Sequence, residues 1–332
     1  MDARDRQLLD FLQQSVPLVP RPFEVIGREL GISESEALSR TKQLKEESII
    51  RQIGPIFSSR RLGYRSTLAA FHVEPERLED TAALVSAHPG VSHNYSRHHT
   101  YNLWFTLTLP PDQDVAREVA RLARESGVSD YLNLPSLRLF KIGVHFDMSN
   151  EGTSSEAKTP TSEHGPSTPL TDFERDVVRA LQGHMPLVPR PFDHAAASLG
   201  VTTDELLVTA RDLNQRGIMR RFSAVLKHRK AGFKANGMAC WVVPEQHIVE
   251  AGTAAAAFPS VSHCYQRPAY PPQWPYTLFT MIHGRSRQDV EHVVERIQQE
   301  IVPVEHTILY SQRQFKKERV QYFVHSPGHG GA

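Results

Sequence analysis

The chain contains itself twice, and that repetition constrains its fold more than any other feature. Residues 17–23 read PLVPRPF, and residues 186–192 read PLVPRPF again at an offset of 169. Val91-Ser92-His93-Asn94-Tyr95-Ser96-Arg97 returns as Val261-Ser262-His263-Cys264-Tyr265-Gln266-Arg267 at an offset of 170. At 332 residues, two copies of this size are each long enough to bury a core of their own. Any topology proposed for one copy must therefore serve the other.

Each copy begins with three helical stretches. In the first, Leu8, Leu9, Phe11 and Leu12 give an apolar face, and Phe23, Ile26 and Leu30 follow at helical spacing with Gly31 as a stop. Ser33 then caps a third helix, with Glu36 placed to complete a capping box. The second copy repeats this from Phe173 to Arg216. Beyond these helices the period changes: strand Ser66–Val73, helix Glu74–Ala87, strands Gly90–Arg97 and Tyr101–Leu109, helix Asp112–Glu125, and a final strand Leu137–Phe146. That order is βαββαβ, with helices on one sheet face and the other face left open. The expected class is α+β: two tandem repeats, each a winged helix-turn-helix followed by a ferredoxin-like βαββαβ domain. The expected bounds are 1–62 and 63–147 for repeat 1, then 172–231 and 232–324 for repeat 2. Residues 148–171, rich in Ser, Thr, Pro and Glu, read as a linker, and 325–332 as a disordered tail. This arrangement resembles the leucine-responsive (Lrp/AsnC) regulators, a resemblance of architecture rather than of activity.

Composition excludes several function classes. A net charge of +1 gives no global commitment to nucleic acid or an anionic membrane. Two cysteines, Cys240 and Cys264, cannot build a disulfide scaffold, and no CxxC motif is present. The charged start MDARDRQLLD has no signal core, and no apolar run reaches the roughly 18 residues of a membrane span. A cytoplasmic protein is expected. DNA binding is not: the third helix opens Ser33-Glu34-Ser35-Glu36 in repeat 1 and Thr202-Thr203-Asp204-Glu205 in repeat 2, placing carboxylates where a recognition helix meets the groove. Arg40, Lys42 and Lys45 read equally well as a solvated face.

The residues that carry chemistry lie on the repeated strands. Alternation puts His93, Tyr95 and Arg97 on one face with Val91, and Ser92, Asn94 and Ser96 on the other. His263, Tyr265 and Arg267 repeat the pattern. Tyr101 and Trp104 follow on the next strand of repeat 1, with Tyr276 as a counterpart in repeat 2, where His283 ends the strand. Between the strands the copies differ. Repeat 1 has His98-His99, whereas repeat 2 has a proline-rich loop, 268–275, that includes Trp274. A basic wing supplies Arg60, Arg61 and Arg65 in repeat 1 and Lys227, His228, Arg229, Lys230 and Lys234 in repeat 2. Arg21 and Arg190, each between prolines, read either as further anion ligands or as parts of a structural turn. Aromatic surface, histidines and many cations suit a large flat ligand bearing several carboxylates, such as a carboxylated tetrapyrrole.

VSHNYSRHHTYNLWFTL and VSHCYQRPAYPPQWPYTLFTMIHG resemble the two subunit types of the siroheme decarboxylase family, here fused in one chain. The resemblance covers nearly everything outside the linker and tail, and its strand motifs are far more specific than the helix-turn-helix. It implies removal of carbon dioxide from acetate side chains of siroheme to give 12,18-didecarboxysiroheme, for haem or d-type haem synthesis. It implies no cofactor apart from the iron that the substrate carries. On this reading His99, His93 or Tyr95 delivers a proton on one side, and His263 or Tyr265 does so on the other. His263 or His99 is the candidate axial ligand of the substrate's iron. Arg97 and Arg267 would orient acetates, while Arg60, Arg61, Arg65, Lys227, Arg229 and Lys234 hold other acid groups. Tyr101, Trp104, Trp274 and Tyr276 would pack on the macrocycle. The repeats are expected to pair within the chain, and a homodimer is a further possibility. The alternative reading is a DNA-binding regulator that senses haem or an amino acid.

Overall fold

The computed structural model describes residues 1–142, 169–226 and 235–324. The linker bulk, the tail and the repeat-2 wing residues Lys227, His228, Arg229, Lys230 and Lys234 lie outside them, as do residues 143–146 of the last strand expected in repeat 1. Repeat 1 opens with α1 (Ala3–Gln14), α2 (Pro22–Leu30), α3 (Glu34–Glu46) and strand β1 (Ile50–Phe57). Its second part comprises β2 (Arg65–Phe71), α4 (Leu78–Ala87), β3 (Val91–Arg97), β4 (Leu103–Leu109), α5 (Val115–Glu125), β5 (Tyr131–Pro135) and β6 (Arg138–Ile142). Repeat 2 follows with α6 (Asp172–Leu181), α7 (Asp193–Ser198), α8 (Thr203–Gln215) and β7 (Met219–Leu226). It ends with β8 (Ala235–Val242), α9 (Ile248–Ala257), β9 (Val261–Gln266), β10 (Leu278–Gly284), α10 (Arg287–Ile301) and β11 (Glu305–Lys317).

Local sequence accounts for the helical modules. Pro22 starts α2 and Gly31 ends it in the left-handed region at φ 65°. Ser33 Oγ accepts from the Glu36 N–H at 3.1 Å. The capping box expected there is not completed in α3 but is in its repeat-2 counterpart α8, by Thr202 and Glu205. In α3 the Glu36 carboxylate turns instead to Arg40, whose guanidinium also binds Asp2 and Asp5 of α1. Both PLVPRPF segments are structural turns. Arg21 pairs with Glu34, and Arg190 with Asp193. The residue before each segment donates to the opposite wing, Val16 N–H to the Phe222 carbonyl at 2.7 Å and Met185 N–H to the Ile53 carbonyl at 2.8 Å. The wings themselves pair antiparallel, β1 with β7. One apolar core joins both helical modules, from Leu8, Leu12 and Phe23 to Val177, Phe192 and Leu206.

The ferredoxin-like parts are more entangled than the sequence predicts. Their strands form one ladder in the order β5-β2-β4-β3-β11-β8-β10-β9-β6. The single final strand expected in repeat 1 is two. β5 closes its own sheet against β2, and after Ser136-Leu137 β6 crosses to pair with β9 of repeat 2. β11 does the reverse along one unbroken strand: Glu305–Tyr310 pairs with β8, and Ser311–Lys317 with β3. A lysine anchors each crossing strand. Lys141 Nζ donates to the Phe258 carbonyl at 2.8 Å, and Lys316 Nζ to the Ser86 carbonyl at 2.8 Å. These carbonyls lie at the ends of α9 and α4, where a cation complements the helix dipole. Gly252 of α9 accommodates the arriving β6, since a Cβ there would stand 2.4 Å from the Phe140 ring.

The helix-free sheet faces are not left open. They share a core built from both repeats, including Ala70, Trp104 and Leu134 from one side and Met238, Cys240, Trp274 and Phe279 from the other. After β11 the chain returns to the helical modules. There the Tyr322 N–H donates to Gln182 Oε1 at 2.7 Å and its carbonyl accepts from Gln182 Nε2 at 3.1 Å, while the Phe323 N–H donates to Tyr64 Oη at 2.7 Å.

Two outcomes follow from this entanglement. Residues 1–142 expressed alone lack the strand that covers β3, and are expected not to persist as a folded monomer by circular dichroism and size exclusion. Co-expression with 169–324 should restore a one-to-one complex, and a well-folded solitary fragment would contradict the exchange. Trp274→Ala removes one of the two tryptophan rings of the shared core and should cost about 3–5 kcal/mol in denaturant unfolding.

Candidate active site

Paired polar strands bring His93, Tyr95 and Arg97 to the helix-free face of one sheet, and His263, Tyr265 and Arg267 to that of the other. The intervening Asn94 points the opposite way, its amide donating to the Ala82 carbonyl of α4 at 3.1 Å. Val91 does not share the histidine's face as simple alternation predicts; it lies in the helix-side core, as does Val261. The reason is a register irregularity beside each histidine, between Val91 and His93 in β3 and opposite Met281–Ile282 in β9, which inserts one residue into the alternation. The same irregularity brings each serine hydroxyl to its neighbour's ring: Ser92 Oγ lies 3.0 Å from His93 Nδ1, and Ser262 Oγ 2.8 Å from His263 Nδ1. Each histidine stacks on the tyrosine two residues on, with centroids 6.2 Å apart in both repeats.

The two arginines are the most unusual groups in the molecule. Arg97 is buried and its Nη1 donates to the Leu309 carbonyl at 2.6 Å, while Arg267 Nη1 donates to the Leu134 carbonyl. Arg97 thus reaches β11 of repeat 2, and Arg267 reaches β5 of repeat 1. The Arg267 guanidinium also lies over the Tyr265 ring, 4.8 Å from its centroid. In both residues Nε is buried with no acceptor, and neither pairs with a carboxylate, among the described residues. Burial pulls both guanidinium pKa values down to about 10. Cationic groups held this way leave donor capacity unspent in a low-dielectric interior, which favours an arriving anion.

His93 stands apart electrostatically. Its pKa is lowered to about 4, chiefly by burial and further by Lys317 and Arg51. Lys317 is its register partner on β11, and Arg51 reaches across from β1 to donate to the Lys317 carbonyl at 2.6 Å. Arg319 continues this cationic region, with its pKa pulled to about 10 by burial and by Arg51, and with Nη2 buried without a partner among the described residues. Sequence reasoning missed all three. Arg51 left a signal, since it recurs as Arg220 at the 169-residue offset. Lys317 left none, because only the strand exchange brings it to His93. The cations expected there lie elsewhere. Arg60 and Arg65 are exposed, and Arg61 donates to the Arg216 carbonyl at the end of α8 at 2.7 Å.

At the other end of β3, His98 is exposed, whereas His99 is packed between repeats. Its ring lies edge-on to Trp274 with centroids 5.4 Å apart, and its Nδ1 accepts from the Tyr101 N–H at 3.1 Å. Burial, then the neighbouring His98, lowers its pKa. The repeat-2 loop reaches across to hold this corner, with Tyr270 Oη donating to the Asn133 carbonyl at 2.6 Å. Trp104, Trp274, Tyr101 and Tyr276 fill the shared core rather than forming an open aromatic wall. The two phenols are each committed to a carboxylate, Tyr101 to Asp130 at 2.8 Å and Tyr276 to Glu305 at 2.9 Å. Burial and Asp130 push Tyr101 up to about 12, and burial and Glu305 raise Tyr276 as well.

The halves therefore differ in charge as well as in loops. Where Lys317 faces His93, Ile142 faces His263. Where repeat 1 has Ser66 beside Thr108, repeat 2 has Asn236 beside His283, and Ser262 Oγ lies 2.8 Å from His283 Nε2. Among the described residues, no cluster of three or more His, Cys, Asp or Glu side chains is arranged to hold a metal ion, and no helix is long and apolar enough to cross a membrane.

Comparison with known proteins places this geometry. The model of the siroheme decarboxylase NirDL-like HTH domain matches residues 5–51 and 174–220, and that of the AsnC-like ligand binding domain matches 61–141 and 230–316. The chain is 44% identical to a siroheme decarboxylase of Hydrogenobacter thermophilus over 96% of its own length and 94% of the relative. It is 45% identical to a siroheme decarboxylase alpha subunit of Desulfovibrio desulfuricans, over 46% of this chain and 87% of that subunit. The crystal structure of the siroheme decarboxylase NirDL in complex with an iron-uroporphyrin III analogue superposes with a TM-score of 0.76 at 38% identity, covering 97% of this chain and 95% of that one. Both family models recur in each repeat and the likeness runs the whole length, so the chain belongs to the siroheme decarboxylase NirDL family.

Proposed function

We propose that this protein is a carboxy-lyase that removes carbon dioxide from two acetate side chains of siroheme, giving 12,18-didecarboxysiroheme. The observation that carries the reading is the 44% identity to a siroheme decarboxylase along almost the entire chain. The geometry supports it through clustered cations: Arg97 and Arg267 inside, whose Nε atoms find no acceptor among the described residues, and Arg51, Lys317 and Arg319 gathered beside His93. A ligand with many carboxylates complements that charge. A regulator reading draws only on the helix-turn-helix, where the Arg40 guanidinium is already bound by three carboxylates.

Each event converts a CH2–CO2⁻ group and one proton into a CH3 group and carbon dioxide. The electron pair of the broken C–C bond passes through the conjugated ring and ends in the new C–H bond. The substrate brings its own iron and electron sink, so the chain has to bind the acids, exclude water and deliver protons. Arg97 and Arg267 orient acetates with their remaining N–H groups, and Arg51 and Lys317 take over the role expected of the basic wing. Proton delivery falls to His93, Tyr95 or His99 on one side and to His263 or Tyr265 on the other; His263 or His99 is the candidate iron ligand. The depressed pKa of His93 fits substrate-driven loading. An acid group settling beside Lys317 and Arg51 offsets their repulsion and favours the imidazolium, so the proton arrives with the substrate. Pairing of the repeats within one chain assembles both sides of the site without a second subunit.

Anaerobic incubation with siroheme, followed by mass spectrometry, is expected to show loss of two carbon dioxide units per macrocycle. His99→Ala combined with His263→Ala should abolish that loss, and full turnover by the double variant would sink the assignment. The His93 environment makes a separate forecast. Above pH about 6.5 its imidazole is neutral both folded and unfolded. Below that pH the unfolded chain takes up the proton first, so stability falls as pH drops towards about 4. Urea unfolding of His93→Gln should show a shallower decline over this window than the unmodified chain.

A further inference from the structure

Repeat 2 contains a hydrogen-bonded line that repeat 1 lacks, running Asn236–His283–Ser262–His263. His283 Nδ1 lies 2.6 Å from Asn236 Oδ1, and its Nε2 lies 2.8 Å from Ser262 Oγ. Ser262 Oγ lies in turn 2.8 Å from His263 Nδ1, with the Met281 carbonyl more distant at 3.2 Å. The direction of the line follows from its first member. An amide oxygen only accepts, so His283 carries its proton on Nδ1. A neutral imidazole has one N–H, so His283 Nε2 accepts, and the Ser262 hydroxyl donates to it. That uses the hydroxyl's only hydrogen, and Ser262 Oγ then accepts from His263 Nδ1–H. Nε2 of His263 is thereby the unprotonated nitrogen.

Register shows why His93 has no such constraint. β2 and β4 pair Ser66 with Thr108 just as β8 and β10 pair Asn236 with His283. The two hydroxyls of Ser66 and Thr108, 2.8 Å apart, both donate and accept, so they impose no direction on Ser92 and His93. The resemblance of V-S-H-x-Y-x-R in the two copies hides this difference, which lies on neighbouring strands.

We propose that His283, oriented by Asn236, is a positioning residue that fixes His263 in the Nδ1–H form, making repeat 2 the half that presents an unprotonated imidazole nitrogen to the tetrapyrrole. An unprotonated nitrogen is what ligates iron or accepts a proton, and outer partners of this kind hold both tautomer and ring angle. The functional part of this inference rests on the decarboxylase reading; the tautomer does not.

The test has two arms. Ring-nitrogen NMR on the full chain without ligand should find His263 as the Nδ1–H tautomer, and Ser262→Ala or His283→Leu should each move it towards a mixture. Two variants are used because the larger change alone could disturb folding. In anaerobic turnover of siroheme, each variant should lower kcat by about 10- to 100-fold with little change in KM. Thr108→Val, which breaks the counterpart pair in repeat 1, should leave kcat unchanged. Finding His263 protonated on Nε2 in the unmodified chain, an unmoved tautomer in both variants, or an equal kcat loss from Thr108→Val would overturn the proposal. Should the unmodified chain leave siroheme intact, the decarboxylase reading fails and the inference is judged on the ring nitrogens alone.

Discussion

The reciprocal exchange of terminal strands is the interaction on which the rest of the molecule depends. β6 leaves repeat 1 to cover the edge of β9, and β11 leaves its own sheet to cover the edge of β3. Each exchange buries a strand edge that would otherwise present unpaired backbone groups. Each also places a lysine at the end of the other repeat's helix, Lys141 near α9 and Lys316 near α4. Because β11 joins the two sheets into one ladder, the two helix-free faces are held together and the shared core of Trp104, Trp274 and Phe279 can form. Across that shared core Arg97 reaches the Leu309 carbonyl of β11, and Arg267 the Leu134 carbonyl of β5.

That arrangement concentrates positive charge in the interior. An ordinary fold of this size pairs its buried charges or avoids them, since an unpaired buried ion is costly. Here the guanidinium groups are satisfied only in part, and the region around His93 collects Lys317, Arg51 and Arg319. The cost is consistent with a site prepared for a polyanion. On the proposed function, the stability those groups cost is recovered as affinity for a carboxylate-rich substrate.

The asymmetry between the halves is of a finer kind than loop length. His98-His99 and the proline-rich loop were legible as differences in sequence, and they meet in space, Trp274 packing edge-on to His99. The cations beside His93 and the His283 line beside His263 were not legible. Arg51 and Lys317 come from elements remote in sequence. The pairing of His283 with Ser262 needs the register irregularity that turns Ser262 towards the ring. The basic wing shows the opposite failure: Arg61 looked available and is bound to a carbonyl of repeat 2.

The sequence by itself determined the two repeats, the order of helices and strands, and the strand positions that carry His, Tyr and Arg. Those follow from local periodicity, caps and alternation, which act over a few residues and are written twice in this chain. Tertiary structure decided which strand covers which edge, which cations face His93, and which histidine has its tautomer imposed. Those depend on contacts between segments from 21 to 266 residues apart, and on one-residue irregularities in pairing that reverse the facing of a side chain. Neither leaves a trace in local pattern, because the energy that selects them is that of closing two sheets around a single core.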